Sequence, residues 1–241
     1  MIHISVRFAL LLKDDFSGAT IADGGQRFTV NGRPARPIRK PDGFFVFTAP
    51  PGPGPDPERS WDVCVESARH FPRRIRIEAD DLPPGMPLRI VQMYRRPHSG
   101  FADCDWFEAK GPPGLLAAAL YEGDPPLALN RFSAEGRGIY LRGFMAANLV
   151  WCRVCVGVGP QAELFTLTAR HPDGGYELDR PPRFPWKTGT PVYLAACAPV
   201  REDGLCHIPV RPGWTEKQPQ IRYYDEEAMQ WQETWCAPAR S

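Results

Sequence analysis

Asp103-Cys104-Asp105-Trp106-Phe107-Glu108 sets three carboxylates within six positions. Such a set can supply oxygen ligands to a hard cation, or the acid/base pair of a sugar-cleaving hydrolase. Asp173, Glu177 and Asp179 surround the turn Gly174-Gly175 and offer calcium the same ligand type. Neither group has the EF-hand spacing, and ordinary turns and solvated strand faces account for both. Cys152-Arg153-Val154-Cys155 is the one CxxC. It lies in a run whose even positions Val150, Cys152, Val154, Val156 and Val158 form an apolar strand face, so its two thiols point to opposite sides, roughly 10 Å apart along the backbone. They read as core cysteines and not as a zinc or redox pair. The histidines His3, His70, His98, His171 and His207 are scattered, without the i, i+4 spacing of a metalloprotease helix. No serine sits in a Gly-x-Ser-x-Gly elbow, and no glycine loop has a phosphate-binding pattern. No catalytic residue, metal or cofactor is therefore assigned.

Aromatic side chains are the remaining chemical resource. Trp61 and Trp151 fall inside strand patterns and read as core. Trp106, Trp186, Trp214, Trp231 and Trp235 lie in polar or proline-rich surroundings. Aromatic rings of that kind anchor protein interfaces and stack on sugars, so Trp106 with its neighbour Phe107, Trp186, Trp231 and Trp235 are the candidate partner- or glycan-binding residues.

The elements that must position such residues are strands. Alternation places Ile4, Val6, Phe8, Leu10 and Leu12 on one face of a first strand over 3–12. Further strands are predicted at 26–31, 36–40, 44–49, 61–67 and 73–79. Asn31-Gly32 and Asp42-Gly43 are hairpin dipeptides, since both residue types tolerate positive φ. The run Ala49–Pro57 predicts an extended proline loop. Asp81-Leu-Pro-Pro-Gly-Met-Pro87 is the best boundary. Beyond it strands are expected at 88–95, 115–122, 127–133, 138–144, 148–158, 163–170, 191–198, 205–210 and 220–224. Residues 115–121 also suit a short helix.

Composition agrees. Twenty-eight prolines among 241 residues favour short strands and loops over helices. The net charge of +1 is evenly spread: residues 1–81 carry 12 basic and 11 acidic side chains, leaving 17 of each for the remainder. Without a basic face there is no electrostatic case for nucleic acid. No apolar run reaches membrane-span length, and the opening residues lack a basic leader and cleavage site. The odd count of 7 cysteines argues against a closed disulfide framework. The expected setting is cytoplasmic synthesis without a classical signal peptide, with incorporation into a released particle as an extension.

Asp15-Phe16-Ser17-Gly18-Ala19-Thr20-Ile21, Phe28-Thr29-Val30-Asn31-Gly32, Asp42-Gly43-Phe44-Phe45-Val46-Phe47 with Pro50-Pro51-Gly52, and Trp61-Asp62-Val63-Cys64-Val65 follow one another in the order of a known pattern. This segment resembles the carboxypeptidase regulatory-like domain, a transthyretin-type, prealbumin-like β-sandwich. A proline-rich insertion precedes Trp61, and His70 stands where that family usually has a glycine. The resemblance implies a spacer, adhesive or docking module without a catalytic centre. It covers about a third of the chain; the remainder resembles no family.

The sequence thus predicts an all-β protein. An Ig- or prealbumin-like β-sandwich is expected over 1–81, a linker over 82–87, and a second β-rich domain, sandwich or barrel, over 88–241. The expected function is that of a non-enzymatic structural or attachment protein with protein partners in a larger assembly, such as a phage-tail-like or contractile-injection particle. The alternatives are a carbohydrate-binding module using exposed aromatics and a hydrolase using carboxylates near 103–108.

Overall fold

The structure is a computed structural model describing residues 6–49, 58–83, 85, 87–122, 126–133, 136–143, 149–212 and 219–232. The described residues form an all-β protein, with one 3-10 turn at Ala79–Asp81. The chain divides into two compact units, Met1–Asp15 with Ala19–Ser99, and Phe16–Gly18 with Gly100–Ser241.

The first unit contains β1 (Val6–Asp14), β2 (Arg27–Val30), β3 (Arg33–Ala35), β4 (Ile38–Arg39), β5 (Phe44–Thr48), β6 (Ser60–Glu66), β7 (Arg73–Glu78) and β8 (Leu88–Met93). They make two four-stranded sheets, ordered β4-β5-β1-β8 and β3-β2-β6-β7. Alternation sends Phe8, Leu10 and Leu12 of β1, Phe45 and Phe47 of β5, and Val91 and Met93 of β8 to one side. There they join Phe28, Trp61, Val63, Val65 and Ile77 of the other sheet in a single core. Aromatic contacts close it: Phe8 stacks on Phe47 with centroids 4.6 Å apart, and Phe28 meets Phe45 at 4.9 Å.

The turn chemistry explains the hairpins. Asn31 and Gly32 both take positive φ, 50° and 72°, and Val30 pairs with Arg33, which is a two-residue I′ connection. At Asp42-Gly43 only Gly43 is left-handed, and the Gly43 N–H donates to the Lys40 carbonyl. Lys40-Pro41-Asp42-Gly43 is thus a four-residue β-turn with Pro41 at its second position, in place of the expected two-residue connection. The boundary expected at 82–87 falls inside the first unit. β8 lies beyond it yet runs parallel to β1, Asp14 opposite Met93, and contributes Val91 and Met93 to the core.

The second unit contains β9 (Asp105–Lys110), β10 (Leu116–Tyr121), β11 (Leu127–Phe132), β12 (Gly138–Arg142), β13 (Arg153–Val156), β14 (Glu163–Arg170), β15 (Tyr176–Leu178), β16 (Pro191–Pro199), β17 (Leu205–Val210), β18 (Gln220–Asp225) and β19 (Gln230–Trp231). Strands β11-β12-β15-β14-β13-β16 follow in order, and β11 also pairs with β16, closing a six-stranded barrel. Its side chains form a packed core that includes Leu129, Ile139, Val154, Phe165, Leu167 and Leu178. β10 and β11 run collinearly along the same edge of β16. Tyr121 faces Leu194 and Leu127 faces Val192, so the two strands pair with successive stretches of β16. β10 carries on to β18 and β19, and the antiparallel pair of β9 with β17 inserts Cys206, Ile208 and Val210 into the same core. The helix reading of 115–121 gives way to a strand because every residue of β10 is buried, with a paired strand on each edge. Tertiary context here outweighs the helical preference of alanine.

Candidate functional site

The same alternation that fills the sandwich core fixes what each sheet shows outward. On the β4-β5-β1-β8 sheet the register aligns Ile38, Val46, Ala9 and Leu88 in one row. Phe44, Leu11 and Ile90 form the next. All seven are apolar and none is buried; Ile38 is 44% exposed and Ile90 41%. Scattered apolar side chains are normal on a surface, but a contiguous patch marks a contact site. Polar groups begin only at the margins, with Arg7 and Lys13 at the ends of the β1 row and exposed Arg39, Lys40 and Asp42 beside β4. Arg7 pairs with Glu58 at 3.0 Å, and Lys13 donates to Thr20 Oγ1 at 2.8 Å.

One end of this sandwich holds a buried polar cluster. Asp14, His70 and Arg95 are at most 4% exposed. Arg95 Nε–H lies 3.0 and 2.9 Å from the two Asp14 carboxylate oxygens, and His70 Nε2 is 3.0 Å from Asp14 Oδ2. Ser67 Oγ stands 3.3 Å from His70 Nδ1. The loop carrying Ser67 and His70 is pinned to the strand extension after β8. Phe71 N–H donates to Tyr94 O at 2.8 Å and Arg96 N–H to Arg69 O at 2.9 Å. This cluster went unread in the sequence. Its signal was Ser67-x-x-His70, but Asp14 and Arg95 reach it only through the pairing of β1 with β8.

In the second unit the aromatic candidates have varied surroundings. Trp231 is 5% exposed, donates its indole N–H to Ala162 O at 2.8 Å, and lies 4.4 Å beneath the Arg222 guanidinium. Trp186 is half-buried, with its ring against Gly157 and its N–H 2.9 Å from Glu163 Oε2. Glu163, 3% exposed, also accepts from Arg180 at 2.9 Å and from the backbone N–H groups of Arg183 and Phe184. A buried carboxylate with this many donors holds the 180–186 loop in place. Trp106 is half-buried on β9, and Phe107 packs against the core. Trp235 lies outside the described residues.

The carboxylates near 103–108 do not converge. β9 alternates, so Asp105 and Glu108 point to opposite faces, and Glu108 Oε2 is 3.9 Å from His207 Nδ1. No group of three His, Cys, Asp or Glu able to hold a metal occurs among the described residues. The strand around the CxxC is shorter than predicted, because Trp151 takes φ 68° and β13 starts only at Arg153. Cys155 is fully buried, and desolvation pushes its thiol up to about 12. Cys152 Sγ accepts from Arg211 at 2.8 Å.

No family model matches the chain, and searches of curated proteins and of solved structures return no match. Among the described residues no helix is long and apolar enough to cross a membrane.

Proposed function

We propose that this chain is a non-catalytic attachment protein whose first unit docks on another protein through the outer face of the β4-β5-β1-β8 sheet. The observation that carries the reading is the pair of registered apolar rows, Ile38–Val46–Ala9–Leu88 and Phe44–Leu11–Ile90. The margins carry Arg7, Lys13, Arg39 and Lys40 against Glu58 and Asp42. A second copy would set basic margins against each other. The complementary occupant is a different protein, with an apolar surface bordered by carboxylates. The two four-stranded sheets around one core support reading this unit as a spacer or docking module. A phage-tail-like or contractile-injection particle assembled in the cytoplasm is the setting we favour. Docking is preferred to glycan stacking because the Trp231 ring is buried beneath the Arg222 guanidinium and the Trp186 ring lies against Gly157, which leaves neither of those ring faces open to a sugar.

The test is size fractionation of native lysate carrying wild-type protein or Leu11→Glu. Leu11 is half-buried on the outer face, so a charge there leaves the core intact while opposing an apolar contact. Wild type in a high-mass fraction, with the variant displaced toward the 27.0 kDa monomer, supports docking. Free wild-type monomer, self-association of the purified chain as the sole assembly, or a variant that still co-fractionates each overturns it.

A further inference from the structure

The Ser67–His70–Asp14 arrangement carries a second and independent reading. We propose that Ser67 is an activated nucleophile that takes up one acyl or phosphonyl group from a small electrophile, such as an activated ester or a fluorophosphonate.

The argument begins at Asp14. Its carboxylate is buried and faces the Arg95 guanidinium at 2.9 Å, which favours the ionised form. An ionised carboxylate accepts hydrogen bonds and donates none, so the proton between Asp14 Oδ2 and His70 Nε2, 3.0 Å apart, belongs to the imidazole. In the neutral ring that leaves the Nδ1 lone pair directed at Ser67 Oγ, 3.3 Å away. The Ser67 hydroxyl is then the donor in that bond, and its oxygen accepts from the Arg69 N–H at 3.3 Å. Serine, base and orienting carboxylate thus occupy the roles of a nucleophilic triad, recognised by geometry and not by sequence position. Accessibility is divided in the way the chemistry needs. His70 is 4% exposed and screened from water, whereas Ser67 is half-buried and reachable from the loop surface. The backbone bonds of Arg69 and Phe71, on either side of His70, to Arg96 and Tyr94 hold the base in place before any reagent arrives.

The step balances without another reactant. Ser67 Oγ forms a bond to phosphorus or to the acyl carbon, and its proton passes to His70 Nδ1. The phosphorus–fluorine or acyl–oxygen bond breaks, and the fluoride or alkoxide leaves with the bonding electron pair. Asp14 keeps its hydrogen bond to the imidazolium throughout. The reaction is stoichiometric acceptance, so it is compatible with the docking function, and it uses none of the docking-face residues.

The experiment treats the full chain with a biotinylated fluorophosphonate and follows peptide labelling by mass spectrometry. The Ser67 peptide is expected to label at least about tenfold faster than those carrying Ser60 and Ser133, because Ser67 Oγ faces an imidazole whereas Ser60 Oγ faces only the weakly basic Glu78 carboxylate. Asp14→Asn retains a carbonyl oxygen for Arg95 but presents an amide donor to His70, forcing the Nδ1–H tautomer. Labelling should fall on the order of 100-fold in that variant. His70→Gln should lower it similarly. Equal labelling of Ser67, Ser60 and Ser133 in the wild type overturns the proposal with no variant needed. Undiminished Ser67 labelling in either folded variant overturns it as well.

Discussion

Across the β3-β2-β6-β7 sheet the outward rows read Arg27–Glu66, Pro34–Thr29–Cys64–Arg74 and Asp62–Arg76. Across β4-β5-β1-β8 they read Ile38–Val46–Ala9–Leu88 and Phe44–Leu11–Ile90. Apart from the shift between Val6 and Phe8, both sheets alternate and bury their inward rows in one core, so no register slip within the paired rows explains the contrast. On the first sheet opposite charges face each other across strands, as solvated antiparallel surfaces do. On the second the outward rows stay in water without serving the core. The core fixes the inward residues and leaves the outward ones free to vary. An apolar choice there is therefore a property of the surface and not a by-product of folding.

The sharpest way to break this comparison is to truncate neighbours that differ only in direction. Leu10 is fully buried in the core and Leu11 is half-buried on the outer face. Leu10→Ala should cost about 2–5 kcal/mol, because it removes buried methyl groups and leaves a cavity. Leu11→Ala should cost less than about 1 kcal/mol. Urea denaturation of the two variants measures the difference directly. Near-equal losses would mean that Leu11 belongs to a core, and the apolar face would cease to be a surface.

A smaller effect separates the two outer faces. Ile38→Lys with Ile90→Lys places charges at both ends of the apolar rows. Retention on a phenyl column at high ammonium sulfate should drop clearly, with stability changed by no more than about 0.5 kcal/mol per site. Arg74→Glu, on the charged face, should leave retention unchanged. If both variants shift retention alike, the column is reporting general charge and the contrast between faces disappears.

These faces were only half legible in the sequence. Asn31-Gly32 announced its hairpin because few residue pairs accept positive φ twice. The alternation of Phe8, Leu10 and Leu12 located the inner side of β1. Val6 was expected on that side too, but the register shifts between Val6 and Phe8 and leaves it 49% exposed. The same alternation set Ala9 and Leu11 on the other side, but it could not show that they line up with Phe44, Val46, Leu88 and Ile90 in one apolar patch. That required the register against β5 and β8. In the second unit the pairing of β11 with β16, which closes the barrel, joins residues more than 60 positions apart and leaves no local mark. The carboxylates of β9 drew attention as chemistry, and the strand they sit on was missed. Ser67 and His70 are three apart, yet their meaning depends on Asp14 and Arg95, which are 56 and 25 positions from His70.

The smallest effect lies on the charged face and concerns pH. Glu78 accepts from Arg76 Nε at 2.6 Å and from Ser60 Oγ at 3.0 Å. The Arg76 hydrogen bond, aided by Ser60, holds the Glu78 carboxyl below its ordinary value of 4.5. The unfolded chain therefore takes up this proton at a higher pH than the folded one. The contribution of the pair is complete above pH 4.5 and is lost as pH falls through the folded value. Because both side chains are exposed, the contribution is small and screened by salt. Arg76→Gln should flatten the acid limb of the stability curve slightly at low ionic strength and have no effect at 1 M salt. The apolar rows hold no titrating group, so in the same window the Leu11→Ala penalty should stay constant. A Leu11→Ala penalty that tracked pH would place an ionisable partner on the apolar face, and the two sheets would then differ in degree only.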